Sequence, residues 1–209
     1  DPTAYDGWLL LAENLVATGD VDAANNAAQR ALTLQPDRFE AHLMLGQLSV
    51  EQLRWTDAVT FFRNGLDKRP LDVNLTISLA QSLTALAQFD EALALLRGAL
   101  DTQPNQVDLW LSAGEMLQHI GRIEEAVDIY RESLIQHPAS GPLQLQLANC
   151  LSDLQWPDEA KLLYEAVLQQ TPGHPDALNN QALLLAGAGE SAQAESIFRA
   201  LIANHPDYG

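Results

Sequence analysis

The apolar positions of this chain recur every 34 residues. With Tyr5 taken as slot 1 of a repeat, slot 7 holds Leu11, Leu45, Leu79, Ala113 and Leu147 before changing to Gln181. Slot 8 holds small residues throughout: Ala12, Gly46, Ala80, Gly114, Ala148 and Ala182. Slot 24 is large in Phe62, Leu96, Tyr130, Tyr164 and Phe198, with Ala28 off pattern. Two further ladders run in step, an alanine at 24, 58, 92, 126, 160 and 194 and a proline at 2, 36, 70, 104, 138, 172 and 206. Ladders sharing one period over a whole chain mark a structural unit of that length, so the protein is built from repeats.

The period and the residues at slots 4, 7, 8, 20, 24 and 32 resemble the tetratricopeptide repeat, a helix-turn-helix unit. Trp8 and Trp110 fill its large slot 4, from which His42, Thr76 and Gln144 depart. The resemblance implies an all-α fold, a right-handed superhelical solenoid, with six repeats at 5–38, 39–72, 73–106, 107–140, 141–174 and 175–208. The chain then counts as one array over 1–209, residues 1–4 being the tail of a preceding repeat. Each repeat is expected to place a first helix at about slots 2 to 14 and a second at about slots 17 to 30. The ladder prolines then fall just beyond each second helix, where a residue without an N–H does no harm. Pro142 and Pro175 open first helices and Pro157 a second, each in the first turn, where no backbone bond is lost. Gly19, Gly121 and Gly189 fall at the turn between the two helices, a place that favours glycine.

Charge narrows the partners. A formal net charge of −17 opposes nucleic-acid binding, which rests on basic residues displacing counterions from phosphates, and disfavours anionic membranes. No apolar run approaches the roughly 20 residues a membrane helix needs. The single cysteine, Cys150, excludes an internal disulfide and a thiolate metal cluster, and slot 10 suits it as a small buried side chain. Asp1-Pro2 sits in the register where a repeat ends and Tyr208-Gly209 stops where another would begin, so the chain reads as a piece of a longer protein.

No catalytic, cofactor or metal site is expected. The run from Leu183 to Ala192, with Gly187 and Gly189, imitates a Gly-x-Gly-x-x-Ala phosphate cradle, but that device needs a preceding strand and a parallel sheet, whereas the repeat register puts Leu183–Leu185 on a helix. The five histidines lack metal-ligand spacing: His137 and His205 fall at the end of second helices, where a donor suits unpaired carbonyls, and His42 reads as a packed histidine. Trp156, displaced by one slot from Trp55 and Phe89, either folds onto its turn or forms an exposed contact.

The family resemblance implies that first helices line the concave face, with slots 2, 5, 6, 9, 12 and 13 pointing into a groove. Slot 5 gives an apolar rail, Leu9, Leu43, Ile77, Leu111 and Leu145, ending at Asn179; slot 9 gives a polar one, Glu13, Gln47, Gln81, Glu115 and Asn149; Asn180 stands in slot 6. Slot 5 either faces the groove or is buried between neighbouring first helices, leaving slot 9 to make contacts. All eleven Lys and Arg residues fall in second helices or connections, so the groove is expected to be negative. The function expected is a non-catalytic protein-interaction scaffold for a basic or neutral peptide; the alternative is the substrate-positioning arm of a larger enzyme, such as a bacterial glycosyl- or sulfotransferase. Uncovered apolar faces near Trp8 and Leu11, and near Phe198, Leu201 and Ile202, give end-to-end self-association as a further expectation.

Overall fold

The computed structural model describes residues 2–205, with side chains described from residue 4. The expectations resting on Asp1, Pro206, Tyr208 and Gly209 lie outside the described residues. Twelve helices follow one another: α1 (Pro2–Ala17), α2 (Val21–Leu34), α3 (Phe39–Glu51), α4 (Trp55–Lys68), α5 (Val73–Ala85), α6 (Phe89–Thr102), α7 (Val107–His119), α8 (Ile123–Gln136), α9 (Gly141–Asp153), α10 (Pro157–Gln170), α11 (Pro175–Gly187) and α12 (Ser191–Asn204). No strand occurs among the described residues. The fold is an all-α solenoid of helix-turn-helix units.

Two compact units divide the chain. The first, Asp1–Gln103, contains three helix pairs, α1 on α2, α3 on α4 and α5 on α6, joined by packing of α2 on α3, α4 on α5 and α3 on α5. The second, Pro104–Gly209, repeats the scheme with α7 on α8, α9 on α10 and α11 on α12, and with α7 and α11 both against α9. Odd-numbered helices are the first helices of their repeats and even-numbered ones the second.

Helix ends follow local chemistry. The Asp20 carboxylate accepts from the N–H of Ala23 at 3.1 Å and that of Asp72 from Leu75 at 3.0 Å, satisfying donors that the helix itself leaves unpaired. Acids stand in the first turns of α6, α8 and α10, where the backbone dipole favours them. Every turn between the first and second helix of a repeat bends at slot 15 with φ between 58° and 83°, in Gly19, Leu53, Ala87, Gly121, Gln155 and Gly189. Three of the six are therefore not glycine. The structure alters one boundary: residues 2–4, read from the sequence as the tail of a preceding repeat, form the first turn of α1, where Pro2 lacks only an N–H that has no helical partner.

The alanine ladder is the floor of both units, since 24, 58, 92, 126 and 160 are wholly buried and Ala194 nearly so. Phe62, Leu96, Tyr130 and Tyr164 of slot 24 are buried as well. Two of the three departures at slot 4, His42 and Gln144, acquire a reason shared with Trp110. His42 Nε2 lies 3.2 Å from the carbonyl of Pro36, Trp110 Nε1 donates to Pro104 at 2.8 Å and Gln144 Nε2 to Pro138 at 2.8 Å. The ladder proline six residues upstream thus receives a donor, and imidazole, indole and carboxamide all supply one. Because a carbonyl only accepts, the His42 proton sits on Nε2, and Nδ1 is buried without a partner. His137 and His205 differ from expectation: they reach the loop carbonyls of Pro104 and Gly173, one repeat back, rather than the end of their own helix. Gln103 does the same to Leu71. Leu201 also corrects the sequence reading, for it is 3 % exposed while Ile202 beside it is 66 % exposed, so the two do not share an open face. Trp156 remains 44 % exposed, with the Arg131 guanidinium 5.7 Å from its ring centroid.

Candidate functional face of the first helices

In the first unit the residues of interest lie on α1, α3 and α5. Leu9, Leu43 and Ile77 are half-buried, and Leu9 packs on the core cluster of Tyr5, Ala31 and Ala41. Glu13, Gln47 and Gln81 are exposed. In the second unit, on α7, α9 and α11, Leu111 is half-buried, Leu145 only 9 % exposed, and Glu115 exposed. The slot 5 rail is therefore shared with the core in both units, and slot 9 is the more open of the two rows.

Gln47 and Gln81 meet at one cavity of about 480 Å³ between α3 and α5. Its remaining lining is Val50, Glu51, Trp55, Phe62, Ser78 and Ser82. The cavity has a sequence cause: slots 6 and 10 hold Ser78 and Ser82 in the third repeat where the second has Met44 and Leu48, so side-chain volume is missing on α5. Ser82 Oγ donates to the Ser78 carbonyl at 2.8 Å, leaving the wall lined mainly by carbon and carboxamide. Sequence reasoning passed over Trp55, Ser78 and Ser82 as site residues; the paired serines are the signal that carried them.

The second unit replaces the cavity with a hydrogen-bonded amide row. Asn149 Oδ1 accepts from Tyr164 Oη and from Asn180 Nδ2, both at 2.9 Å, and Asn180 Oδ1 accepts from Asn179 Nδ2 at 3.1 Å. Three expected site residues are thus joined directly, and Tyr164 of slot 24 is bonded to one of them. Tyr130 of α8 donates to Gln118 Oε1 on α7 at 2.9 Å. Burial pushes the Tyr164 phenol up to about 12, with the charge of Asp153 adding to it. Burial likewise raises Tyr130, and it takes the Cys150 thiol up to about 12. Desolvation raises the Glu115 carboxyl above its ordinary value.

The expected charge asymmetry is modified at one end. Arg38, at the N-terminus of α3, binds Asp6 at 2.9 Å and Glu40 at 2.8 Å and stacks 4.2 Å from the centroid of the Tyr5 ring, so the two slot 2 acids of the first two repeats share one cation. Among the described residues Glu13, Glu51 and Glu115 have no basic partner. No helix among the described residues is long and apolar enough to cross a membrane.

Comparison with known proteins gives a family-model match described as tetratricopeptide repeat over residues 9–73, 77–141 and 145–209. No curated protein matches. Among solved structures, PilW, a type IV pilus biogenesis factor, has a TM-score of 0.75 at 19% identity, covering 98% of this chain and 94% of that one. The Pseudomonas aeruginosa protein pilF gives 0.72 at 17% identity, over 99% and 94%. YrrB, a repeat protein with an unusual peptide-binding site, gives 0.60 at 19% identity, over 87% and 94%.

Proposed function

The chain belongs to the tetratricopeptide repeat family, and on that premise we propose that its six repeats act as a non-catalytic scaffold whose first-helix faces hold a basic or neutral peptide segment of a partner protein. The observation that carries this reading is the placement of charge. First helices contain no Lys or Arg, and Glu13, Glu51 and Glu115 lie there without a basic partner among the described residues. Basic residues lie on second helices and in connections, where Arg63–Glu91 and Arg131–Glu159 bridge successive repeats. Unpaired acids beside half-buried leucines favour a ligand that brings its own cations and apolar anchors. The peptide-binding site of YrrB supports the same use of the fold. The contact residues proposed are the open slot 9 row, Glu13, Gln47, Gln81, Glu115 and Asn149, with Asn179 and Asn180 and with the slot 5 side chains Leu9, Leu43, Ile77, Leu111 and Leu145 contributing their exposed edges.

Charge reversal tests the reading without a known partner. A random peptide library selected on the wild-type protein is expected to return basic and neutral sequences, and the same library on a Glu13→Lys/Glu115→Lys variant to return acidic ones. Indistinguishable sequence sets from the two proteins would overturn the proposal.

A further inference from the structure

We propose that the cavity between α3 and α5 is a pocket for a single arginine side chain of the bound peptide, an inference that rests on the first-helix face being the peptide site. Two arrangements inside this fold show how a guanidinium is held. Arg38 lies over the Tyr5 ring at 4.2 Å and forms an ion pair with Glu40 at 2.8 Å. Arg131 lies over the Trp156 ring at 5.7 Å and pairs with Glu159 at 2.8 Å. In each, a guanidinium is held between an aromatic face and a carboxylate, the two attractions a planar, weakly hydrated cation accepts together.

The α3–α5 cavity has the same two elements. Trp55 and Glu51 both line it, from opposite sides of the turn at Leu53, and no arginine or lysine is in the lining. Glu51 has no basic partner among the described residues. Val50 and Phe62 offer an apolar wall for the three methylenes of an arginine stem, while Gln47 and Gln81 bring carboxamide oxygens that accept from a guanidinium. The volume of about 480 Å³ falls in the range of sites that enclose small ligands. An aliphatic anchor would fill the same space but would cover Glu51 and both carboxamides without pairing them, which is costly. An acidic side chain would meet Glu51 directly. The pocket exists in this repeat because Ser78 and Ser82 stand where the preceding repeat has Met44 and Leu48, so it gives the peptide a register as well as a charge preference.

The test uses the whole chain and three blocked heptapeptides identical except for a central arginine, citrulline or leucine. Citrulline keeps the shape and removes the charge. Binding is read at low salt by titration calorimetry and by the indole N–H resonance of Trp55, assigned with a Trp55→Leu variant. The expected result is that the arginine peptide moves the Trp55 resonance and binds roughly tenfold tighter than the citrulline peptide, and that Glu51→Gln, an exposed change whose folding is checked by circular dichroism, abolishes that difference. Leucine binding as tightly as arginine with the same Trp55 shift would overturn the arginine assignment. An arginine peptide that moves first-helix amides but not Trp55 would overturn the pocket and leave the proposed function standing. Failure of all three peptides to move any first-helix amide would overturn both.

Discussion

The ring of Tyr130 occupies the space beside Gly114 so closely that a Cβ added to the glycine would lie 2.1 Å from Tyr130 Cζ. Gly46 stands in the same relation to Phe62, at 2.2 Å from Cε1. Slots 8 and 24 are thus one packing decision, a missing side chain on the first helix against a ring on the second. Gly114→Ala and Gly46→Ala are each expected to lower stability by about 1–3 kcal/mol through overpacking, read as a fall in urea midpoint. Gly98→Ala on α6, with nothing within 4 Å, is the internal control and is expected to gain about 0.5–1 kcal/mol.

The left-handed turns give a prediction of opposite sign. Leu53, Ala87 and Gln155 hold φ of 58°, 58° and 61°, a conformation costing a residue with a Cβ roughly 1–2 kcal/mol. Glycine removes that strain but loses about 0.4–1 kcal/mol through the freer unfolded chain. Each substitution to glycine is therefore expected to raise the thermal midpoint slightly, and Gly121→Ala, from φ 78°, to lower it. A drop on Leu53→Gly would contradict this account of slot 15.

At slot 4 the donor matters more than the side chain's size. Replacing Gln144 by leucine keeps the bulk but removes the 2.8 Å bond that the Pro138 carbonyl accepts, and a cost of about 0.5–1.5 kcal/mol is expected for the lost hydrogen bond. Gln144→His, which can donate as His42 does, is expected to recover part of it. Equal losses in the two variants would show that the hydrogen bond is not the cause.

How much of this was legible is a matter of which forces write themselves into residue types. The alanine and proline ladders and the small–large alternation at slots 8 and 24 gave the helices to within a residue or so, since burial at a fixed period leaves few choices. His42 and Gln144 looked like lapses from a large slot because the shared property is a donated proton, which residue size does not express. Leu53, Ala87 and Gln155 hold the same left-handed turn that glycine holds at 19, 121 and 189, so residue type alone does not mark slot 15. At the candidate face the apolar pattern of slot 5 left open whether it faces the groove or is buried, and at Leu145 it is buried. Trp55 begins α4, and its place in the cavity lining emerges only where Ser78 and Ser82 leave room on the neighbouring repeat. The Asn149–Asn180–Tyr164 hydrogen bonds link residues 15 and 31 apart in sequence, which no local pattern connects.

Alkaline pH should loosen the second unit first. The thiol of Cys150 and the phenol of Tyr164 are each pushed up to about 12 by burial, from ordinary values of 9.0 and 10.0. Raised pKa values in the fold mean that the unfolded chain ionises first, so stability is unaffected below about pH 9 and falls as pH rises toward 12. Urea midpoints measured through that window are expected to decline less steeply in Cys150→Ala and Tyr164→Phe than in the wild type, whatever the absolute stability of the variants. Parallel slopes would contradict the assignment.

The central claim, that the first-helix faces bind a peptide bearing positive charge, is tested most directly by amide chemical-shift mapping with a basic and an acidic peptide of matched apolar content. The basic peptide is expected to bind more tightly, with shifts gathered on α1, α3, α5, α7, α9 and α11 around Glu13, Gln47, Gln81, Glu115 and Asn149, and with an association rate that falls as salt is added. An acidic peptide binding equally well at low ionic strength, or shifts gathered on the even-numbered helices, would contradict it.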